Sequence, residues 1–271
     1  DSSVTGVQTC ALPILIVKIA VCCKAVPGPV TDVTVEPGGD ALRFRSQLQS
    51  MNECDEYAME EAIVLKRQYG GEIVALTMGG ISTQEILYAA AAKGADRIVR
   101  VDAVVQDPAA ASLVLAAALK TVGADLVLTG TQSRDSLSSF VGVAIAQRLD
   151  LPFAFAVTAI EKDGDNAIKV RKELGGGRSA DVRLPLPALV CIQTGIQPLN
   201  YVPPARMMRA RQQRPQSLTL ADLGLSQEDI APKGYRILSV APPVRTGQAQ
   251  MLSGTPQESV RALLDKMAEV R

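Results

Sequence analysis

The chain has 271 residues, 47% of them hydrophobic and 21% charged, enough to bury the full core of one large or two unequal domains. Its 28 basic and 28 acidic residues balance, so no overall field draws it to nucleic acid or a membrane surface. Histidine is absent, which removes the commonest general base and metal ligand and argues against hydrolases and zinc enzymes.

Residues 1–14, "DSSVTGVQTCALPI", lack periodicity and the basic flank of a secretory signal. They are expected to be an adventitious leader, similar to translated sequencing-adapter sequence. Ile14–Cys23 is an apolar run broken by Lys18 and predicts a buried parallel strand. Pro and Gly in the next stretch forbid a long helix. Asn52 is placed to cap the helix after it, which carries acids in its first turns, Lys66 and Arg67 near its end, and a Gly70-Gly71 stop. Glu60 and Glu61 sit at adjacent helix positions and point apart, which reads as one solvated face and one packing contact. "EIVALTM" is the next strand, and a helix with a Ser/Thr cap at 82–83 runs to Gly94. "DRIVRVD", "PAAASLVLAAALKTVGA", "DLVLTG" and "SSFVGVAIAQRLDL" continue as strand, helix, strand and helix.

This alternation predicts an α/β fold, a doubly wound and mainly parallel sheet. Ligands in such sheets lie at the carboxyl ends of strands, here Cys22–Ala25, Thr77–Gly80 and Gly130–Ser133. The stretch "GTQSRDSLSSFVGV" from Gly130 to Val143 fits a cradle of backbone N–H groups for a phosphate, and it also fits a plain helix cap. Its serines have no histidine to activate them, no G-x-S-x-G elbow exists, and there is no Walker A loop.

From about 153 the pattern becomes strands joined by turns at "KDGDN" and "LGGGRS", expected to be antiparallel and to complete or flank the sheet. The segment 193–213 is punctuated by Pro198, Pro203 and Pro204 and carries Met207, Met208, Arg206, Arg209 and Arg211, with Arg214 just beyond. It reads either as ordinary core and surface or as a protruding, adaptable docking loop with cations that steer acidic partners. A loop-rich arm from 216 ends in an amphipathic helix within "TPQESVRALLDKMAEVR", which has little core of its own and is expected to dock on another surface. The expected organisation is therefore a leader at 1–14, an α/β nucleotide-binding domain at 15–215 and an arm at 216–271. Five cysteines without a Cys-x-x-Cys pair read as reduced, buried thiols of a cytoplasmic protein. No apolar run reaches the roughly 18 residues of a transmembrane helix, so no membrane insertion is expected.

From about residue 16 to 271 the chain resembles the beta subunit of electron transfer flavoprotein. The resemblance rests on "VKIAVCCKAV", on "MNECDEYAMEEAIVLK" against the family's "MNP-C--A-EEA--LK", and on "AAAAKGADRIVRVD" against "ALAMGAD". It rests also on "ADLVLTGTQSRDS" against "-DL---G-QA-D-D", and on "LPLPALVCIQTGIQPLNY" against a region ending in "RY". It implies an adenine-nucleotide alpha-hydrolase-like fold with no catalytic residues of its own. It also implies an FAD-bearing alpha subunit as partner, and electron flow from acyl-CoA or other flavin dehydrogenases to a quinone oxidoreductase. A structural AMP is implied in a pocket of Cys22, Asn52, Glu53, Cys54, Asp55, Met78 and the loop Gly130, Thr131, Gln132, Ser133, Arg134, Asp135, Ser136, Leu137, Ser138, Ser139, Phe140 and Val141. Two alternatives stand beside this: an electron-bifurcating beta subunit binding a second FAD and NADH, and a free-standing adenine-nucleotide-binding module.

The loop departs from the family's pattern. Leu137, Ser138 and Phe140 stand where Asp, Thr or Cys, and Gln are usual, and losing the Asp and Gln removes polar contacts worth about 1–1.5 kcal/mol each. Arg134 is placed to offset this by meeting a phosphate. The partner-recognition residues implied are Pro203, Pro204, Met207, Met208 and Arg209. Pro204-Ala205 stands where the family's Leu-Pro anchor is usual, so either the anchoring role passes to Met207 or Met208 or the partner differs.

Overall fold

The computed structural model describes residues 18–28, 33–39, 42–44, 49–105, 107–232, 238–242, 244, 247 and 249–269. The expected leader and the start of the first strand lie outside the described residues. The chain divides into two units, one holding the described residues of Asp1–Val33 and Phe44–Arg236, the other those of Thr34–Arg43 and Ile237–Arg271.

In the first unit, β1 (Lys18–Cys22) is buried from Ile19 onward, as a strand with a parallel neighbour on each side must be. β2 (Ala25–Pro27) comes next. The chain then enters the second unit through two short strands that pair with each other, β3 (Val33–Val35) and β4 (Leu42–Phe44). Back in the first unit, β5 (Gln49–Met51) pairs antiparallel with β2. α1 (Glu53–Tyr69) has Glu53, Asp55 and Glu56 in its first turn and Lys66 and Arg67 in its last, charges that complement the helix dipole. Asn52 occupies the N-cap position, yet its side chain makes no capping bond.

β6 (Glu72–Met78) leads through a 3₁₀ turn, Ile81–Thr83, into α2 (Gln84–Lys93). The expected cap is not made, because the Thr83 hydroxyl donates to Gly80 O at 2.8 Å. β7 (Arg97–Val101), α3 (Pro108–Val122), β8 (Leu126–Gly130) and α4 (Val141–Leu149) continue the alternation. α3 starts with the Asp107 carboxylate accepting from Ala109 N and with proline at N1, where its missing N–H costs nothing.

β9 (Phe153–Lys162), β10 (Ala167–Gly175), β11 (Arg178–Pro185) and β12 (Ala188–Ile192) complete the sheet. The Gly176-Gly177 turn between β10 and β11 has positive φ at both residues, the geometry that matches the twist of a tight hairpin. β10 runs antiparallel to both neighbours as expected, whereas β9 and β12 pair in parallel. α5 (Pro204–Ala210) is a helix where the prolines predicted only punctuation. Pro203 is its N-cap and Pro204 its first residue, and α5 packs on α2. β13 (Gln216–Leu218) pairs with β7, so the sheet takes in residues beyond 215.

The nine strands lie in the order β11-β10-β9-β12-β8-β1-β6-β7-β13. The chain moves from β1 outward through β6 and β7, then returns to the other side of β1 with β8. This doubly wound reversal opens a crevice at the carboxyl ends of β1 and β8. Residues of α1 and α2 form one buried cluster with the sheet, and residues of α3 and α4 form the other.

In the second unit, Gly39 N donates to Glu36 O and Val240 N to Gly39 O, each at 2.8 Å. α6 (Pro256–Glu269) opens with a reciprocal cap, Thr255 N donating to Glu258 at 2.7 Å and Glu258 N to the Thr255 hydroxyl at 3.3 Å. It leaves Val260, Leu263, Leu264 and Met267 exposed.

Candidate functional site

The crevice at the β1–β8 reversal holds a cleft of about 280 Å³. Three strand ends converge on it, at Cys22, Met78 and Gly130, and the loop 131–140 forms much of its wall. Its seat is built by the start of α1. The Asp55 carboxylate is buried and accepts from Lys24 N at 2.7 Å and from Gly130 N at 2.9 Å, so one side chain ties the end of β1 to the end of β8. Burial outweighs these bonds, the Asn52 side chain and the Lys24 charge, and pushes the Asp55 carboxyl up to about 7. Gly130 is needed for this approach, since a Cβ there would lie 2.6 Å from Cys54 Cβ and collide with the Asp55 carboxylate.

Asn52, freed from capping, orients the polar loop. Its amide nitrogen donates to Gln132 O at 2.8 Å and its oxygen accepts from Arg134 N at 3.2 Å. Lys24 meets the loop from β1, with Nζ 2.8 Å from Asp135 and 3.1 Å from the Ser133 hydroxyl. Partial burial opposes ionisation of the Asp135 carboxyl, yet donation from Lys24 and Ser133 holds it below the usual carboxylate range. Leu137 and Ser139 adopt positive φ values of 51° and 49°, uncommon for residues with a side chain. Phe140 beside them is right-handed, and such alternation makes successive N–H groups converge on one point.

The first backbone bond into α4 runs from Ala144 N to Phe140 O, so the amides of Val141, Gly142 and Val143 have no acceptor within the helix. Gly142 brings this helix start close to the sheet, because a Cβ there would lie 2.6 Å from the Thr129 hydroxyl and 2.7 Å from Cys191 Sγ. The cleft therefore has walls of two kinds. Met78, Ala103, Leu115 and Ile145 are apolar, while Lys24, Gln132, Ser133, Ser136, Ser138 and Ser139 are polar. Apolar walls suit a flat ring, and amides with hydroxyls at a helix N-terminus suit an anion. An adenine mononucleotide has both parts, so these residues fit one.

Of the residues singled out from the sequence, Cys22, Asn52, Asp55, Met78, Gly130–Ser133, Ser136 and Ser138–Val141 line the cleft. Glu53, Cys54, Arg134, Asp135 and Leu137 do not. The Arg134 guanidinium donates to Pro27 O and the Ser50 hydroxyl on the β2–β5 ribbon. The sequence reading missed Lys24 as a side chain of the site, and the stretch 103–105 after β7, which carries no polar or glycine signal. The four described cysteines are free and buried. Burial pushes the Cys22 and Cys23 thiols up strongly, and that of Cys191 up to about 11, which disfavours the thiolate. Among the described residues no cluster of His, Cys, Asp or Glu is arranged to hold a metal, and no helix is long and apolar enough to cross a membrane.

The docking candidates lie apart from this cleft. Met208 is exposed, Met207 half-buried, and Pro203, Pro204 and Arg209 exposed along α5. Glu60 and Glu61 are not solvated: both are buried, under residues 197–200.

Comparison with known proteins completes the picture. Residues 44–223 match the model of the electron transfer flavoprotein domain. The chain is 30% identical over 262 residues to the electron transfer flavoprotein subunit beta of Methylophilus methylotrophus, covering 94% of this chain and 99% of the relative. It is 34% identical over 218 residues to the subunit of the same name from Bacillus subtilis, covering 79% and 84%. It is 31% identical over 263 residues to the caffeyl-CoA reductase-Etf complex subunit CarD of Acetobacterium woodii, covering 93% and 98%. A family model over more than half the chain and relatives matched over nearly their whole length agree: the chain belongs to the electron transfer flavoprotein family, among its beta subunits, and its role is in electron transfer.

Proposed function

We propose that this chain is the beta subunit of a cytoplasmic heterodimer whose alpha subunit carries the redox FAD, and that its own cleft holds AMP as a structural ligand. The observation that carries the second part is the start of α4. Its first amides, which have no acceptor within the helix, follow Ser138 and Ser139 at a cleft formed by the reversal of strand order. A phosphate at this point can accept from those amides, as anions at helix starts do. A volume of about 280 Å³ sits at the low end of ligand pockets, roughly 300–1,000 Å³, and favours a mononucleotide over a dinucleotide.

The flavin supplies the electron-carrying chemistry when bound in the heterodimer. This chain assembles, positions and recognises. The exposed apolar face of α6 docks on the alpha subunit. The segment 193–213, with Met208 and Arg209 outward, meets the dehydrogenases that donate electrons, and a quinone oxidoreductase receives them. Binding to the native state alone raises stability with ligand concentration. AMP added to nucleotide-stripped heterodimer should therefore raise its melting temperature, and no rise at millimolar AMP would overturn the structural role.

A further inference from the structure

Two carboxylates of α1, Glu60 and Glu61, are only 2% and 1% exposed. Burying a carboxylate is costly unless it is paired and hydrogen-bonded, and a helix that only packed would carry apolar residues there. Both are directed at one short stretch of chain. Glu60 accepts from Lys93 Nζ at 2.6 Å, from Asn200 N at 3.2 Å and from Asn200 Nδ2 at 2.8 Å. Lys93 in turn donates to Asn200 O at 3.5 Å, so the residue is gripped at its amide, its carbonyl and its side chain. Glu61 accepts from Gln197 Nε2 at 2.8 Å. The gripped stretch belongs to no helix or strand, and it displays Leu199 and Tyr201, the latter 80% exposed. It runs directly into α5 with Met208 at 69% exposure and Arg206 and Arg209 on the surface.

We propose that Glu60, Glu61 and Lys93 are positioning residues that hold 197–201 in the shape a partner protein docks against. The partner surface this fits is an apolar recess edged with carboxylates, receiving Leu199, Tyr201 and Met208 with the arginines around them. The inference rests on the reading of 193–213 as a docking segment. Preorganising a loop lowers the ordering cost of association and leaves the later electron-transfer step unaltered.

The test uses the full heterodimer and a flavin dehydrogenase chosen because it reduces the unaltered complex. Glu60→Gln, and Asn200→Ala as a variant that leaves the Glu60–Lys93 pair intact, should speed amide exchange across 197–201 at least tenfold. Both should raise the apparent KM for the heterodimer severalfold with kcat unchanged. Met208→Ala should raise KM without altering exchange. Unchanged exchange in both latch variants overturns the latch. Faster exchange with unchanged KM, while Met208→Ala still raises KM, overturns its docking role. Faster exchange with KM unchanged in all three overturns the docking reading itself and the inference with it.

Discussion

α1 and α6 are helices of 17 and 14 residues, each with charges placed to suit its dipole, and they meet different fates. α1 buries nine of its residues, among them three carboxylates, whereas α6 buries none. The surroundings of α1 are supplied by its own chain: the Gly130 backbone, the ends of β1 and β8, and residues 197–200. α6 keeps Val260, Leu263, Leu264 and Met267 exposed. A helix finished by its own chain reports on the folded subunit, and on our proposal the exposed face of α6 reports on assembly.

The largest effect is expected where α1 meets β8. Gly130→Ala sets a Cβ against Cys54 Cβ and 3.1 Å from the Cys54 carbonyl carbon, so backbone must move. We expect a loss of about 3 kcal/mol in urea unfolding. Unchanged stability would mean that the seating of α1 on β8 is loose.

Asp55→Asn should cost about 2 kcal/mol, because one of two backbone donors then faces an amide NH₂. It also sharpens the pH dependence. With its carboxyl pushed up to about 7 by burial, native Asp55 keeps a proton that the unfolded chain releases near its ordinary value of 3.8. Its contribution is therefore full below about pH 4 and lost as pH rises to about 7. Denaturant midpoints from pH 4 to 8 should fall in the unaltered protein, and the Asp55 part of that slope should vanish in the variant.

The smallest effect on the subunit itself is expected at α6. Leu264→Asp should weaken the heterodimer tenfold or more, about 1.4 kcal/mol, by analytical ultracentrifugation. The unfolding of the isolated chain should stay within about 0.5 kcal/mol of its unaltered value. A matching loss in the isolated chain would erase the contrast with α1.

How much of the molecule was legible in its sequence is a matter of range. Strand and helix alternation is local, so β1, β6, β7 and β8 with their helices were readable, and with them the strand ends that meet at the cleft. Glu60 and Glu61 were not, because their partners Lys93, Gln197 and Asn200 lie 33 to 140 residues away and helix spacing carries no trace of them. Asn52 has the right identity for a cap and the wrong neighbours, since Gln132 O and Arg134 N claim its side chain. Arg134 had the chemistry of a phosphate ligand, but Pro27 and Ser50 claim its guanidinium. The wall at 103–105 reaches the cleft only because β7 ends beside β6. α5 was hidden by prolines whose positions, N-cap and N1, are the ones a helix tolerates.

The most direct measurement is the nucleotide released by denaturing heterodimer purified from its own cells, separated by chromatography and counted against flavin. One AMP and one FAD per heterodimer are expected. Two FAD, or no adenine compound besides a single FAD, would contradict it.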